Sequence, residues 1–154
     1  FAGEVANNQP SAVVIASEQK DFLWQVVNDF SHKTFRVYAN KDIIGTQLGG
    51  VMKNILAIAT GISDGLTMGA NARSALVTRG LAEMLRLSIA LGANQDTLMG
   101  LSGIGDLILS CTDDQSRNRR FGLAIGQGEN AKGDRVWGKP QPKRRNGKGK
   151  GKGK

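Results

Sequence analysis

The residue type most suited to chemistry in this sequence is a lysine that lies in an apolar segment. Lys53 lies in the glycine-rich stretch GGVMKNILAIATG, in which it is the only charged residue. A lysine amine that is partly removed from water can serve as a general acid or base near neutral pH. The two glycines at the start of the stretch would let a ligand or a second helix come close. An isolated lysine of this kind more often extends its ammonium group to water, so the pattern alone favours a structural role.

A carboxylate and a cluster of arginines lie farther along the chain. Asp106 follows GLSGIG, and it could be a helix N-cap, the commoner role after glycine, or a carboxylate near an active-site lysine or substrate hydroxyl. Residues 116–120 read SRNRR and open a predicted helix. Free N–H groups at a helix start and bidentate arginine side chains make a typical anion site. The alternative is a solvated basic face that Asp113 and Asp114 partly neutralise.

Other candidate motifs are weaker. Residues 126–131 read GQGENA and match the dinucleotide pattern GxGxxA, but that pattern requires a strand before it and a helix after it. Here a predicted helix precedes it and a segment rich in Gly, Lys and Pro follows, so we reject a dinucleotide site. The single Cys111 excludes an intramolecular disulfide, and the lone His32 cannot complete a metal site. We therefore expect no metal, a buried thiol and a reducing, cytoplasmic compartment.

The elements that must position these residues begin with a β-α-β pattern. The apolar, β-branched run at 12–16 predicts a buried strand, and the alternation at 34–39 predicts a second strand. Residues 19–28 between them have the period of an amphipathic helix. The first forty residues therefore resemble the end of an α/β domain.

Lys53 lies on the first of several predicted helices. Asp42 is its expected N-cap, and apolar residues recur at steps of three or four until about Thr60. The predicted apolar face consists of Ile44, Leu48, Val51, Ile55, Ile58 and Ile62. Its glycines, Gln47, Lys53 and Asn54 make this segment a poor membrane span.

The remaining helices are shorter or less certain in type. Asn71 is the expected N-cap of a helix over 72–91, which Gly92 ends as a C′ glycine. Residues 106–111 could be a helix or a strand. A last helix extends from the cap at 116 to about 125. Residues 41–128 are therefore predicted to be mainly helical.

The charge of the chain is concentrated at its end. The formal net charge is +8, yet residues 1–128 hold 11 basic and 11 acidic residues, whereas 129–154 hold 10 basic and 2 acidic ones. Lys139–Lys154 contains two prolines and alternating Gly and Lys, which cannot bury enough apolar surface to fold. We predict a disordered tail over 129–154, either genuine or translated from a shifted reading frame. The composition does not make the folded part a nucleic-acid binder.

Several long segments together resemble one enzyme family, the bacterial type of NAD(P)-dependent glycerol-3-phosphate dehydrogenase. The matching segments are FAGEVA at 1–6, AVVIAS at 12–17, FRVYANKDIIGTQLGGVMKN at 35–54, GISDGLTMGANARSALVTRGLAEM at 61–84 and GLSGIGDLILSCTDDQSRNRRFGLAIGQG at 100–128. They cover nearly all of residues 1–128 in order. The β-hydroxyacid dehydrogenases that resemble 6-phosphogluconate dehydrogenase carry G-x-x-x-K-x-x-N instead. Here Gly49 and Lys53 fit that pattern, but position 56 is Leu56, which favours the glycerol phosphate family.

The resemblance implies a role for each candidate residue. Lys53 matches the family's catalytic lysine, which exchanges a proton with the substrate's C2 oxygen. Asp106, Ser116, Arg117 and Asn118 match residues of the same substrate site, and Arg117 also matches a dinucleotide contact. In addition, we expect Asn54, beside the lysine, and Ser110, where the family more often has Thr, to support the residues of this substrate site. The reaction implied is the interconversion of sn-glycerol 3-phosphate and dihydroxyacetone phosphate with NAD or NADP, in supply of glycerophospholipid synthesis.

The resemblance also implies the organisation of the chain. Residues 1–40 would be the end of a Rossmann domain, and 41–128 an incomplete helical domain like the C-terminal domain of 6-phosphogluconate dehydrogenase. The fold class is thus mainly α with a small β-α-β remnant. The family's glycine-rich turn for NAD or NADP is not in the sequence, so we expect this chain to have little or no dehydrogenase activity. The full-length enzyme would be a homodimer that acts on a phosphorylated small molecule.

A second hypothesis comes from a different class of function. The chain could be a non-catalytic remnant whose basic tail, 129–154, makes weak, salt-sensitive contacts with nucleic acid or other polyanions. The ten basic residues of the tail favour this hypothesis, whereas the lack of interleaved aromatic residues apart from Trp137, and of any recognisable reading motif, argues against specific recognition. Deletion of the tail and measurement of DNA retention would separate the two hypotheses.

Overall fold

The computed structural model describes residues 2–129 of the chain. The predicted tail therefore lies outside the described residues, apart from Glu129. The elements are α1 (Ala2–Ala6), β1 (Ser11–Ala16), α2 (Lys20–Phe30), β2 (Phe35–Asn40), α3 (Ile43–Gly65), α4 (Ala70–Ala90), α5 (Gln95–Leu98), a π-helical turn (Leu101–Gly105), α6 (Asp106–Thr112) and α7 (Arg117–Gly126). The predicted fold class, mainly helical with a small β-α-β unit, is confirmed.

The β-α-β unit has the topology that the sequence predicts. β1 and β2 pair in parallel, with Ser11 opposite Phe35 and Ala16 opposite Asn40. The connecting helix α2 packs against β2 and buries Leu23. Residues 12–16 are only half-buried, contrary to the prediction of a buried strand, because the described part of the sheet has two strands.

The central helix, α3, contacts α4, α5, α6 and α7. Its N-cap is Asp42, as predicted, and the helix extends past Thr60 to Gly65. The predicted apolar face is wrong, since Val51 and Ile55 are exposed. The buried positions of α3 are small residues instead: Gly45, Gly49, Ala57, Thr60, Gly61 and Ser63. Small side chains are buried here because the neighbouring backbones lie close to the helix.

Glycines form the interface between α3 and α7. A Cβ atom added to Gly61 would lie 2.8 Å from the backbone nitrogen of Leu123, and one on Gly65 would lie 2.8 Å from Cα of Gly126. Gly122 in turn lies against the backbone of Ile58. These contacts advance in the same direction along both helices. We call this row of glycines, 61, 65, 122 and 126, the glycine seam.

The boundaries of α4 differ slightly from the prediction. The helix begins at Ala70, and its N-cap is Gly69 with φ 93°, so the predicted cap at Asn71 is wrong. The positive φ of Gly69 turns the chain into the helix two residues earlier than predicted. Gly92, with φ 87°, follows the end of α4 as predicted, and the next amide donates to the Ser88 carbonyl at 2.9 Å.

The hydrophobic core lies between α3, α4, α5 and α6. Its fully buried members are Ala57, Met84, Leu98, Leu107 and Cys111, which confirms the expected buried thiol. The segment whose type the sequence left open is helical, as α6. The sequence did not predict α5 or the π-helical turn. α5 contributes Leu98 to the core, and the turn connects α5 to α6.

Within residues 2–129, α3 is the one helix that could cross a membrane by length and composition, with a mean hydropathy of 1.2. It is also the helix around which the others pack. Only 22% of its most apolar stretch is buried, and Val51 and Ile55 on it are exposed.

Candidate functional site

Lys53 and Asp106 form an ion pair. Nζ of Lys53 donates a hydrogen bond to Oδ2 of Asp106, and the two side chains are 26% and 34% exposed. Asp106 is not the N-cap of α6, because Gly105 takes that place. A pair this exposed contributes little to stability, about 0–1 kcal/mol. Its position at a cavity wall makes it a candidate for proton transfer.

The π-helical turn brings the aspartate to the lysine. Gly49 lies against the carbonyl group of Ser102, and a Cβ atom there would overlap it. A Cβ atom on Gly103 would lie 2.5 Å from Cα of Leu98. The first approach packs the π-helical turn directly on α3, one turn before Lys53, and the second packs the same turn on α5. The turn leads into α6, whose first residue, Asp106, then lies beside the lysine. Turns of this wide type are frequent at functional sites.

All seven residues predicted for the site line one cavity of about 450 Å³, which we call the α7 cavity. They are Lys53, Asn54, Asp106, Ser110, Ser116, Arg117 and Asn118. Its lining includes Glu4, Leu109, Asp113 and Gln115 as well. The seven predicted residues, which are up to 65 positions apart in the sequence, thus line one space.

The first turn of α7 forms one end of this cavity. Ser116 is the N-cap, as predicted, and its Oγ accepts the Arg119 amide at 3.3 Å. The side-chain amide of Asn118 donates to Oδ1 of Asn54 at 2.8 Å. The exposed Arg117 lines the cavity at the same end. Amides of a first helical turn have no partner within the helix, so this end offers donors to an anion.

The arginines of the SRNRR segment lie in two different environments, which the sequence alone does not distinguish. Arg119 is buried and points away from the predicted anion site, with its Nη2 donating to Asp64 at 2.6 Å and its Nη1 to Asp114. Its Nε donates to the Cys111 carbonyl at 3.2 Å. The prediction that Asp114 partly neutralises the cluster therefore applies to Arg119, whereas Arg117 stays at the cavity.

Acidic side chains also line the α7 cavity. Glu4 and Asp113 lie there in addition to the paired Asp106. Asp113 Oδ1 accepts the Gln115 amide at 2.7 Å, so this carboxylate also shapes the loop before α7. An anion is therefore expected at the α7 end, beside Arg117.

A second cavity, of about 370 Å³, lies on the other side of the ion pair. It is lined by the start of β1 at 12–14 and by the hydroxyl-bearing residues Thr46 and Ser102. Lys53, Asp106 and Leu109 line both cavities. The ion pair is therefore the wall between a mainly apolar space and a polar one.

The junction between β2 and α3 is fixed by Asp42. Its Oδ1 accepts the Gly45 amide at 2.8 Å, and its Oδ2 accepts the Asn94 amide at 2.8 Å. Burial by itself would raise the pKa of this carboxyl group, but the two amides and the Thr97 hydroxyl outweigh burial and lower the pKa. The ionised carboxylate thus ties the start of α3 to the loop before α5.

The chemistry of the site is that of a proton donor beside an anion site. Residues 2–129 contain no group of three or more His, Cys, Asp and Glu side chains that could hold a metal ion. Lys53 can give or take a proton, Asp106 can accept a hydrogen bond from a ligand hydroxyl, and Arg117 can bind an anionic group.

Known proteins share this fold and sequence. The family model described as the C-terminus of NAD-dependent glycerol-3-phosphate dehydrogenase matches residues 42–136. The chain is 60% identical over 129 residues to glycerol-3-phosphate dehydrogenase [NAD(P)+] of Alkalilimnicola ehrlichii, covering 84% of this chain and 39% of that protein. The enzyme of the same name from Aliivibrio fischeri is 59% identical, covering 83% and 38%.

A solved structure agrees with these relatives. The crystal structure of glycerol-3-phosphate dehydrogenase from Coxiella burnetii superposes with a TM-score of 0.84 at 57% identity, covering 86% of this chain and 41% of that one. The chain spans about two fifths of the length of the curated relatives. Since the family model matches more than half of its residues, the chain belongs to the NAD-dependent glycerol-3-phosphate dehydrogenase family.

Proposed function

We propose that this chain carries the substrate-binding and proton-transfer part of a cytoplasmic dehydrogenase that interconverts sn-glycerol 3-phosphate and dihydroxyacetone phosphate. The observation that supports it is the Lys53–Asp106 pair in a cavity that ends at Arg117 on the α7 N-terminus. In this proposal residues 1–40 belong to the coenzyme domain and 41–128 to the substrate domain. The product, glycerol 3-phosphate, would supply glycerophospholipid synthesis.

Lys53 is proposed to exchange the proton at the substrate's C2 oxygen. In the reduction the ammonium group gives a proton to the carbonyl oxygen of dihydroxyacetone phosphate, and in the oxidation the neutral amine takes the hydroxyl proton. The hydrogen bond from Nζ to Asp106 holds the amine at the cavity wall. A single lysine thus serves both directions of the reaction.

The phosphate group is proposed to bind at the other end of the cavity. Arg117 can form two hydrogen bonds with it, and the first amides of α7 add donors. Asn118 is oriented by Asn54 and can reach the same group or a neighbouring hydroxyl. Binding of the non-reacting phosphate places C2 near Lys53, so its binding energy is used for orientation.

The cofactor implied by the family is NAD or NADP, which accepts or supplies the hydride at C2 when it is bound. The exposed Arg117 fits a contact with such an anionic cofactor. Neither described strand leads through a glycine-rich turn into a helix, so the described residues form no cradle for its diphosphate. The described residues are therefore proposed to contribute to the binding of the substrate, to the proton transfer and to one cofactor contact.

Titration of the purified chain with glycerol 3-phosphate, followed by NMR, tests the proposal. We expect the resonances of Lys53, Arg117 and Asn118 to shift with a saturable dependence on ligand. The Arg117→Ala variant should lose this response, whereas Arg120→Ala, which changes an exposed neighbour on α7, should keep it. A response that is equal in all three proteins, or absent from the unmodified chain, would overturn the assignment. Oxidation of NADH by the chain with dihydroxyacetone phosphate is expected to be negligible.

A further inference from the structure

A buried arginine behind the α7 cavity has a partner on each of three segments. Arg119 is 7% exposed and donates to Asp64 at the end of α3, to the Cys111 carbonyl on α6 and to Asp114 in the loop before α7. Arg73 of α4 donates to the same Asp64 oxygen at 2.8 Å. These residues thus form one cluster of ion pairs and hydrogen bonds.

Two partners of Arg119 lie next to the segment that carries the proposed phosphate-binding residues. Cys111 and Asp114 lie just before Ser116, and Arg119 lies two residues after Arg117 in the first turn of α7. The Arg119 amide also donates to Oγ of Ser116. The Arg119 side chain therefore links the first turn of α7 to the loop, to α6 and to α3, while the cap is closed by its backbone amide.

The charge of Arg119 is not available to a ligand. Asp64 and Asp114 compensate the two guanidinium groups of Arg73 and Arg119, and Arg119 does not line the α7 cavity. The buried guanidinium group donates to Asp64, to Asp114 and to the Cys111 carbonyl, so it holds these acceptors in place. A lysine could satisfy one of the three directions but not all of them, because the guanidinium group is planar with donors on both sides.

We propose that Arg119, anchored by Asp64, is a positioning residue that aims Arg117 and Asn118 into the α7 cavity. The proposal rests on the proposed function for the identity of the ligand, a phosphate monoester. It adds that affinity for this ligand depends on a residue that never touches it. The proposal gives Arg119 a different role from the two other arginines of the SRNRR segment, Arg117 and Arg120.

The first test needs no ligand. Backbone hydrogen exchange is compared in the unmodified chain, in Arg119→Lys and in Arg120→Lys, whose substituted side chain is exposed. We expect exchange at the hydrogen-bonded amides of residues 116, 119 and 120 to be at least about tenfold faster in Arg119→Lys, after correction for intrinsic rates, and unchanged in Arg120→Lys, with the end of α7 at 123–125 protected in both. Equal corrected exchange at these three amides in all three proteins would overturn the proposal.

The second test measures affinity for glycerol 3-phosphate and for inorganic phosphate, at a temperature where circular dichroism shows each variant to be folded. We expect the dissociation constant to rise at least about tenfold in Arg119→Lys and to stay within about twofold in Arg120→Lys. A lower melting temperature with an unchanged dissociation constant would show that Arg119 only stabilises the fold, and the proposal would be wrong. If Arg119→Lys does not fold, Asp114→Asn removes one exposed partner and should weaken binding severalfold; unchanged binding there overturns the proposal too.

The two proposals can fail separately. If the unmodified chain binds neither ligand, the proposed function fails, and the exchange measurement still decides whether Arg119 orders the first turn of α7. If it binds both ligands with the same affinity as Arg119→Lys, the proposed function stands and the positioning role falls.

Discussion

Asn118 at the start of α7 donates a 2.8 Å hydrogen bond to Asn54, the residue that follows Lys53 on α3. This bond joins the proposed phosphate end of the cavity to the helix that carries the proton donor. Asn54 in turn donates to the carbonyl of Gly50 at 3.2 Å, so its own orientation is set within α3. The two ends of the site therefore do not move independently.

Loss of this bond should weaken ligand binding more than it weakens the fold. In Asn54→Ala, we expect the affinity for glycerol 3-phosphate to fall about threefold to tenfold, because the Asn118 amide loses its acceptor; one such bond contributes about 1 kcal/mol. Calorimetric titration measures the affinity. Asn28→Ala, an exposed change on α2, is the matched control and should bind as the unmodified chain does. Equal affinity in both variants would contradict the prediction.

A side chain in the glycine seam should destabilise the chain strongly. In Gly61→Ala the new Cβ atom meets the backbone of Arg119 and Leu123, which cannot rotate away as a side chain can. We expect the free energy of unfolding in urea to fall by about 3 kcal/mol or more, the upper end for an overpacked core. Gly50→Ala on the same helix meets nothing within 4 Å and should raise stability by about 0.5–1 kcal/mol. Similar effects at the two glycines would show that the seam is loose.

Stability should fall in acid through Asp42. The pKa of its carboxyl group is lowered in the folded chain, so the stabilisation is present above the unfolded value of about 3.9 and is lost as the pH falls through the folded value. Melting temperatures of the unmodified chain and Asp42→Asn should therefore differ most near neutral pH and converge in acid. Asp29→Asn, an exposed change on α2, is the control. A difference that stays constant with pH would rule out this role.

The buried thiol should be unreactive in the folded chain. Burial raises the pKa of Cys111, although the Thr60 hydroxyl and Arg119 oppose the shift, and the side chain is fully enclosed. Since a thiol reagent reaches it only after local opening, we expect reaction with a chromogenic disulfide at pH 8 to be at least about a hundredfold slower than in denaturant. Comparable rates in the two conditions would mean that α6 opens freely.

The sequence allows Lys53 and Asp106 to be proposed as members of one site, but it does not predict the turn that brings the two side chains into contact. Lys53 and Asp106 stand out because each interrupts an apolar, glycine-rich segment, and the family resemblance assigns both to one site. Neither segment shows that a π-helical turn brings them together, since that turn depends on Gly49 and Gly103 packing against backbone. Such tertiary contacts have no local sequence signal.

The two main errors have the same physical origin. The predicted face of α3 assumed that large apolar residues point to the core, whereas Gly61 does so and Val51 is exposed. The arginine cluster was treated as one charged surface, whereas Arg119 pairs with Asp64, 55 positions away in the sequence. Periodicity and local charge report on a helix alone, and both errors arise where a second helix approaches closely.

The glycine seam fixes the position of α7 along α3. Because backbone lies against backbone at Gly61 and Gly122, α7 cannot slide along α3 by a fraction of a turn without placing a side chain in the seam. Lys53 lies eight residues before Gly61, about 12 Å along the helix axis at 1.5 Å per residue. In the proposed function, the length of substrate that fits between Lys53 and Arg117 is therefore set by the positions of these glycines. To accept a longer or shorter phosphorylated substrate, a protein of this design would have to move glycines rather than change the residues that touch the ligand.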